Sequence, residues 1–188
     1  SRNRNTAGLV SVDLETGEET IIAENARADM SDVMMHPTEN TIQAVTFTYQ
    51  RKQWMVLEGS VDDDIKYLNT VEDGDIDVVS RTLDDTTWVV EYEKDDGPIR
   101  YYLYERATKT ASFLFSNRVD LDGQPLVKMN SVVIKSRDDL DLVSYYSLPL
   151  GSDSADDGKP DQPLPTVLFV HGGPWSRDDW GYNSFHQL

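Results

Sequence analysis

The residues best suited to chemistry stand together near the C-terminal end, at His171-Gly172-Gly173-Pro174. Two adjacent glycines leave their backbone N–H groups unscreened, so the main chain can approach an anion closely. Donors of that kind stabilise an oxyanion where charge develops during acyl transfer. Thr166 and the run Val167-Leu168-Phe169-Val170 lead into the glycines. Apolar without alternation, the run predicts a short strand covered on both faces, an inner strand of an α/β sheet. A plain strand-ending turn is the simpler reading of the same glycines; the strand before them and Pro174 after them favour a donor loop.

Other chemistry is thin. No G-x-S-x-G occurs, and Gly181-Tyr182-Asn183-Ser184-Phe185 has neither the closing glycine nor a strand before it. The absence of cysteine excludes disulfides, thiolate zinc sites and a cysteine nucleophile within this sequence. His36 and His186 have no metal-like partner at useful spacing and read as surface or packing histidines. Asp62-Asp63-Asp64, Asp73-Gly74-Asp75 and Asp120-Leu121-Asp122-Gly123 do not complete a calcium-loop spacing and read as turns on a solvated surface. No cofactor and no metal is therefore expected.

Seventeen basic residues stand against 34 acidic ones, for a net charge of −17. Such a chain repels phosphate backbones and anionic lipid, which argues against nucleic-acid and membrane partners. The acidity reads as a solvated surface that aids solubility, with a preference for cationic substrates as the sharper alternative. No apolar run is long enough to span a membrane, and Ser1-Arg2-Asn3-Arg4-Asn5 lacks the apolar core of a signal peptide. Cytoplasm is the default compartment.

The elements that must position the glycines repeat. Residues 32–47 match residues 77–92 at an offset of 45: each is a β-rich run, an acidic or amide turn (Glu39-Asn40, Asp84-Asp85) and a longer strand ending in an aromatic. Residues 8–22 match 100–114 at an offset of 92, close to two such periods, and both read as strand, tight turn, strand. A period of about 45 residues with four short strands per unit is the signature of β-propeller blades. Gln53 to Leu68 would supply the middle outer hairpin, turning at Asp62-Asp63-Asp64. Trp54, Trp88, Tyr92, Tyr101, Tyr102 and Tyr104 fall at blade-strand positions and are expected in the inter-blade core. A free-standing β-sandwich is the alternative, but it does not predict the self-match.

From Met129 the character changes. Asn130 to Ser136 and Leu142 to Leu148 read as an antiparallel hairpin about Arg137-Asp138-Asp139-Leu140-Asp141, and residues 151–165, rich in Gly, Ser, Asp and Pro, as an exposed loop. Residues 131–188, above all His171-Gly172-Gly173-Pro174-Trp175 with Arg177-Asp178-Asp179-Trp180-Gly181-Tyr182, resemble the opening of the catalytic domain in the prolyl oligopeptidase family of serine peptidases, in its acylaminoacyl-peptidase and dipeptidyl-aminopeptidase-like branch. Where that family has Asp-Gly in the hairpin turn, this sequence has Asp138-Asp139.

The resemblance implies a mostly β chain: about two and a half four-stranded propeller blades over residues 1–128, then the first strands of an α/β-hydrolase domain over 129–188. It implies that the Gly173 N–H, beside Gly172, is an oxyanion donor. It also implies that His171 orients the loop and is not the general base, because the family's triad runs Ser, Asp, His along the chain and begins later. A tyrosine hydroxyl donates at that position in other branches; His171 cannot replace it. No nucleophile, acid or base is then expected within the sequence, which reads as an inactive segment of a larger enzyme that cleaves short peptides through an acyl-enzyme. The propeller would limit substrate size. A non-enzymatic propeller or sandwich module that binds peptide or protein, and a carboxylesterase-like hydrolase, are the alternatives. Open blade edges should make the isolated piece self-associate.

Overall fold

The computed structural model describes residues 4–188, so Ser1, Arg2 and Asn3 of the N-terminal stretch read above lie outside the described residues. Four antiparallel sheets follow one another in chain order. β1 (Leu9–Val12) pairs with β2 (Glu19–Ala23), and β3 (Met30–Met35), β4 (Ile42–Thr48) and β5 (Lys52–Val56) form the second sheet. β6 (Asp75–Arg81), β7 (Thr87–Glu93), β8 (Arg100–Glu105) and β9 (Thr110–Ser116) form the third, and β10 (Met129–Lys135) pairs with β11 (Asp141–Ser147).

The self-matches fall on equivalent elements. β3 and β6 begin 45 residues apart, as do β4 and β7, and β1–β2 correspond to β8–β9 at the larger offset. The turns agree in backbone state as well. Asn40 (φ 58°) and Asp85 (φ 55°) are left-handed at the same place in the β3–β4 and β6–β7 turns; Gly17 (φ 73°) and Lys109 (φ 48°) match in the two outer hairpins. Left-handed backbone is uncommon outside glycine, so its recurrence at matched positions marks repeats of one unit. The chain is mostly β and blade-like, as the period implies.

The expected outer hairpin of the middle blade is not formed. β5 is its first strand, but helix α1 (Asp62–Leu68) replaces the second, leaving a blade of three strands and a helix. The cause is local. Asp62, Asp63 and Asp64 occupy the first helical turn, where the backbone dipole favours carboxylates. Lys66 Nζ donates to Asp62 Oδ2 at 2.5 Å one turn back. Val61, Ile65 and Leu68, spaced to share one face, are all buried.

The core lies between sheets. β4 is buried on both sides: Ala44 joins Trp88, Val90, Tyr92, Tyr104, Leu68 and Ile65, while Val45 and Phe47 pack with Ala23 and Ala28 below the first sheet. Trp88, Tyr92 and Tyr104 are fully buried, and Trp54 and Tyr102 pack against them. Tyr101 does not join this cluster and stacks instead on Phe115, ring centres 4.7 Å apart.

Buried charge in the core is paired. Asp85 accepts from Arg81 Nε (2.6 Å), Arg106 Nη1 (2.5 Å) and Trp88 Nε1 (2.7 Å). Asp64 accepts from Arg106 Nε (3.0 Å) and the Tyr104 hydroxyl (2.7 Å). Arg106 thus ties the third sheet to α1, and Asp64 is not the solvated turn residue expected; nor is Asp75, which is buried against Arg51. Burial, helped by the hydrogen bond to Asp64, pushes the Tyr104 hydroxyl well above its ordinary pKa.

The β10–β11 hairpin forms as expected, with Asp139 left-handed (φ 65°) at its turn, a conformation Asp tolerates better than most residues. The expected inner strand does not form. Residues 166–170 are irregular, and Val167, Leu168 and Val170 are 90%, 86% and 65% exposed. A strand exists only with a neighbour to accept and donate its backbone hydrogen bonds. Among the described residues no sheet presents one to this run.

Candidate functional site: the diglycine loop and its anchors

His171, Gly172 and Gly173 lie in an exposed loop, followed by a fully exposed Trp175. Among the described residues the N–H groups of Gly172 and Gly173 donate no hydrogen bond. A Cβ built on Gly172 would meet nothing, whereas one on Gly173 would come within 3.3 Å of the Trp175 N and 3.8 Å of His171 Nδ1. Gly173 therefore sits in the tight part of the turn. His171 Nδ1 lies 2.7 Å from the carbonyl oxygen of Gly172, a local contact that turns this carbonyl toward the histidine. Among the described residues no nucleophile or acid–base side chain hydrogen-bonds to it.

After this loop the chain returns to the blades. Arg177 donates from Nη1 to the Thr48 carbonyl (2.9 Å), from Nη2 to the Tyr49 carbonyl (2.7 Å) and the Tyr145 hydroxyl (3.1 Å), and from Nε to the Asp178 carbonyl (3.2 Å), with Asp179 Oδ1 as its ion-pair partner at 2.9 Å. Trp180 is buried, donates from Nε1 to the Met129 carbonyl (2.8 Å), and carries the Arg51 guanidinium 3.3 Å above its ring. Arg51 is held by Asp75 Oδ1 (2.6 Å), and the Met129 N–H is accepted by Asp95 Oδ2 (2.7 Å). Burial pushes the Asp95 carboxyl above the usual range, against the pull of that N–H.

Between these anchors and the blade ends lies a cavity of about 330 Å³. Asp29, Asp75, Glu93 and Asp179 line it against Lys52 and Arg177, so carboxylates outnumber cations. Burial raises the Glu93 pKa, Asp75 adds to the shift, and Lys52 opposes it. Burial also works against the charged Lys52, but its contact with Asp77 prevails and holds its pKa above the ordinary value. Gly181 (φ 146°) lets the chain pass this wall, because a Cβ there would run into the Glu93 carboxylate. A larger cavity of about 610 Å³, lined by β3 and β6, includes none of residues 171–173.

His36 accepts from the Glu39 N–H (3.1 Å) on Nδ1, and His186 Nδ1 lies 3.1 Å from Ser147 Oγ, so both histidines have local structural contacts. Among the described residues no group of three or more His, Cys, Asp or Glu side chains is placed to hold a metal ion, and no helix is long and apolar enough to cross a membrane. Sequence reading named Arg177 and Trp180 only as parts of a motif and missed Arg51. The signal available was a guanidinium and an indole without an apolar pattern around them.

Over its whole length the chain is 44% identical to dipeptidyl aminopeptidase BIII of Pseudoxanthomonas mexicana. It is similar along its length to a segment of that dipeptidyl aminopeptidase. Dipeptidyl peptidase family member 6 of Caenorhabditis elegans is 32% identical over 181 residues. The chain spans 27% and 24% of the length of these two relatives. No family model matches the chain. In fold, 91% of this dipeptidyl-aminopeptidase-like chain aligns with 24% of a crystal structure assigned as a dipeptidyl aminopeptidase IV of Bacteroides ovatus, with a TM-score of 0.53 and 15% identity. These likenesses bear out the resemblance to the prolyl oligopeptidase family.

Proposed function

We propose that this chain is part of a serine peptidase that releases short N-terminal pieces from peptides through an acyl-enzyme, and that the Gly172–Gly173 loop supplies an oxyanion donor. One observation carries the reading: among the described residues the Gly173 N–H donates no hydrogen bond, and Gly173 is exposed. Backbone donors fixed in advance at the point where negative charge develops lower an acyl-transfer barrier without reorganising. The carboxylate-lined cavity next to Arg177 and Trp180 suits a substrate that carries positive charge. The nucleophile, its base and their acid partner are assigned to other parts of the protein, and the 188-residue piece is expected to be inactive.

The test is turnover of a dipeptidyl anilide and of an N-acetyl-aminoacyl anilide by the full-length protein, its Gly173→Pro variant and this piece. Loss of one such donor should lower kcat by about 10²–10³ with folding preserved by circular dichroism. Equal turnover in the variant would remove the donor role, and a folded but inactive full-length protein would remove the peptidase reading.

A further inference from the structure

Two turns at matching places in the repeat grip the segment after Met129. The β4–β5 turn offers its carbonyls to Arg177, the Gln50 carbonyl to the Tyr145 hydroxyl (2.8 Å), Gln50 Nε2 to Ser131 Oγ (3.2 Å) and Arg51 to Trp180. Forty-five residues on, in the turn after β7, Asp95 stands where Gln50 stands and holds Met129. The first contact is the one nearest to the glycines. Only Pro174, Trp175 and Ser176 separate Gly173 from Arg177. Among the described residues the side-chain hydrogen bonds of residues 165–176 are local, from Thr166 to Leu164 and between His171 and Gly172, and Phe169 stacks on Phe185 further along the same segment.

Resting on the reading that the Gly173 N–H serves an oxyanion, we propose that Arg177 is the positioning residue of the diglycine loop, registering it on the β4–β5 turn of the middle blade. Its planar fork meets two successive main-chain carbonyls and a hydroxyl at once, while Nε–H donates to the adjacent Asp178 carbonyl and Asp179 supplies a counter-charge. An ammonium is a single point on a flexible stem and cannot span both carbonyls in one geometry. The acceptors are main-chain atoms, so the register follows the blade backbone. Trp180, pinned between Arg51 and the Met129 carbonyl, secures the far side of the same segment. A blade turn that shifts would therefore carry the loop with it, and a displacement of about 1 Å at a reacting group can cost on the order of 10² in rate.

The experiment uses the full-length protein and its Arg177→Ala, Arg177→Lys and Tyr145→Phe variants. Three quantities are read: kcat and KM on the dipeptidyl anilide, affinity for a peptide aldehyde that forms a tetrahedral adduct, and amide hydrogen exchange over residues 168–176. Arg177→Ala should lower kcat about 10–100-fold with KM within about threefold. Aldehyde affinity should fall in proportion to kcat, and loop exchange should quicken. Arg177→Lys should resemble Arg177→Ala, and Tyr145→Phe should give a smaller change of the same pattern. Unchanged exchange in Arg177→Ala overturns the positioning role whatever the activity does. Normal kcat in Arg177→Ala, in a protein whose Gly173→Pro variant is impaired, overturns the positioning role and leaves the oxyanion role standing. If Arg177→Ala fails to fold, Tyr145→Phe decides, and normal exchange and kcat there overturn the proposal. A wild type without turnover removes the peptidase reading and the rate consequence with it, while the exchange result still decides the anchoring.

Discussion

Trp88 and Trp175 are the same side chain in opposite circumstances. Trp88 is fully buried, donates to Asp85, and is flanked by the guanidinium groups of Arg81 and Arg106, each 4.8 Å from its ring centre. Trp175 is 97% exposed, two residues beyond Gly173. The blades spend their apolar residues on one another, and sheet, helix and ion pairs agree on one arrangement. The run from Val167 to Val170 is as apolar as a blade strand, yet among the described residues it is mostly exposed, with Phe169 stacked on Phe185 at 5.0 Å between ring centres. Apolar content shows that a segment has a burial site; only pairing shows where that site is.

Four measurements would break or sharpen the contrast. Trp88→Ala should cost about 3–5 kcal/mol in urea unfolding, since it opens a cavity and takes a donor from Asp85, whereas Trp175→Ala should stay within about 0.5 kcal/mol. Equal costs would mean that Trp175 is covered in solution. Arg106→Met should cost about 2–3 kcal/mol, because Asp64 and Asp85 each lose a charged partner in a mostly buried setting. A neutral result would show that water reaches those carboxylates. The isolated piece should bind a hydrophobic dye and self-associate through Val167, Leu168, Val170 and the open β9 edge, where Phe113 and Phe115 are about half exposed. A dye-silent monomer in light scattering would refute this.

Glu93 gives the smallest effect. Its folded pKa is raised, first by burial and then by Asp75, with Glu91 and Asp77 adding and Lys52 opposing. The folded state therefore holds its proton at pH values where the unfolded chain has released it. Stability from this group is fully present below the ordinary glutamate range and is lost as pH rises from there through the raised folded value. Glu93→Gln should flatten that part of the pH–stability curve and stabilise the protein by about 0.5 kcal/mol at neutral pH, discounted because the carboxyl still meets solvent. An unchanged slope would mean that Lys52 compensates fully.

The blades were legible because their evidence is local and repeated. The alternation in β7, the Asn40 and Asp85 turns and the 45-residue offset each need only a short window. Helix α1 was misread although its signal was present: three carboxylates ahead of Ile65 and Leu68 make a helix start as well as a turn. The run Val167 to Val170 misled for the opposite reason, since its residues favour a strand and its partners lie elsewhere. The anchors could not be read at all. Arg177 reaches carbonyls 128 and 129 residues away, and main-chain acceptors leave no trace in residue identity.

Asn40 and Asp85 share a place in the repeat and a left-handed backbone, but only Asp85 carries charge. Chains made of near-copies risk docking a unit beside the wrong sibling during folding. Arg81 and Arg106 tell the copies apart. They close on a carboxylate, and against an amide at the same turn Arg81 would lose its counter-charge and Arg106 one of its two in a largely water-excluded seam. One atom changed between duplicated units thus acts as an address label, making blade order a matter of charge as well as of chain connection.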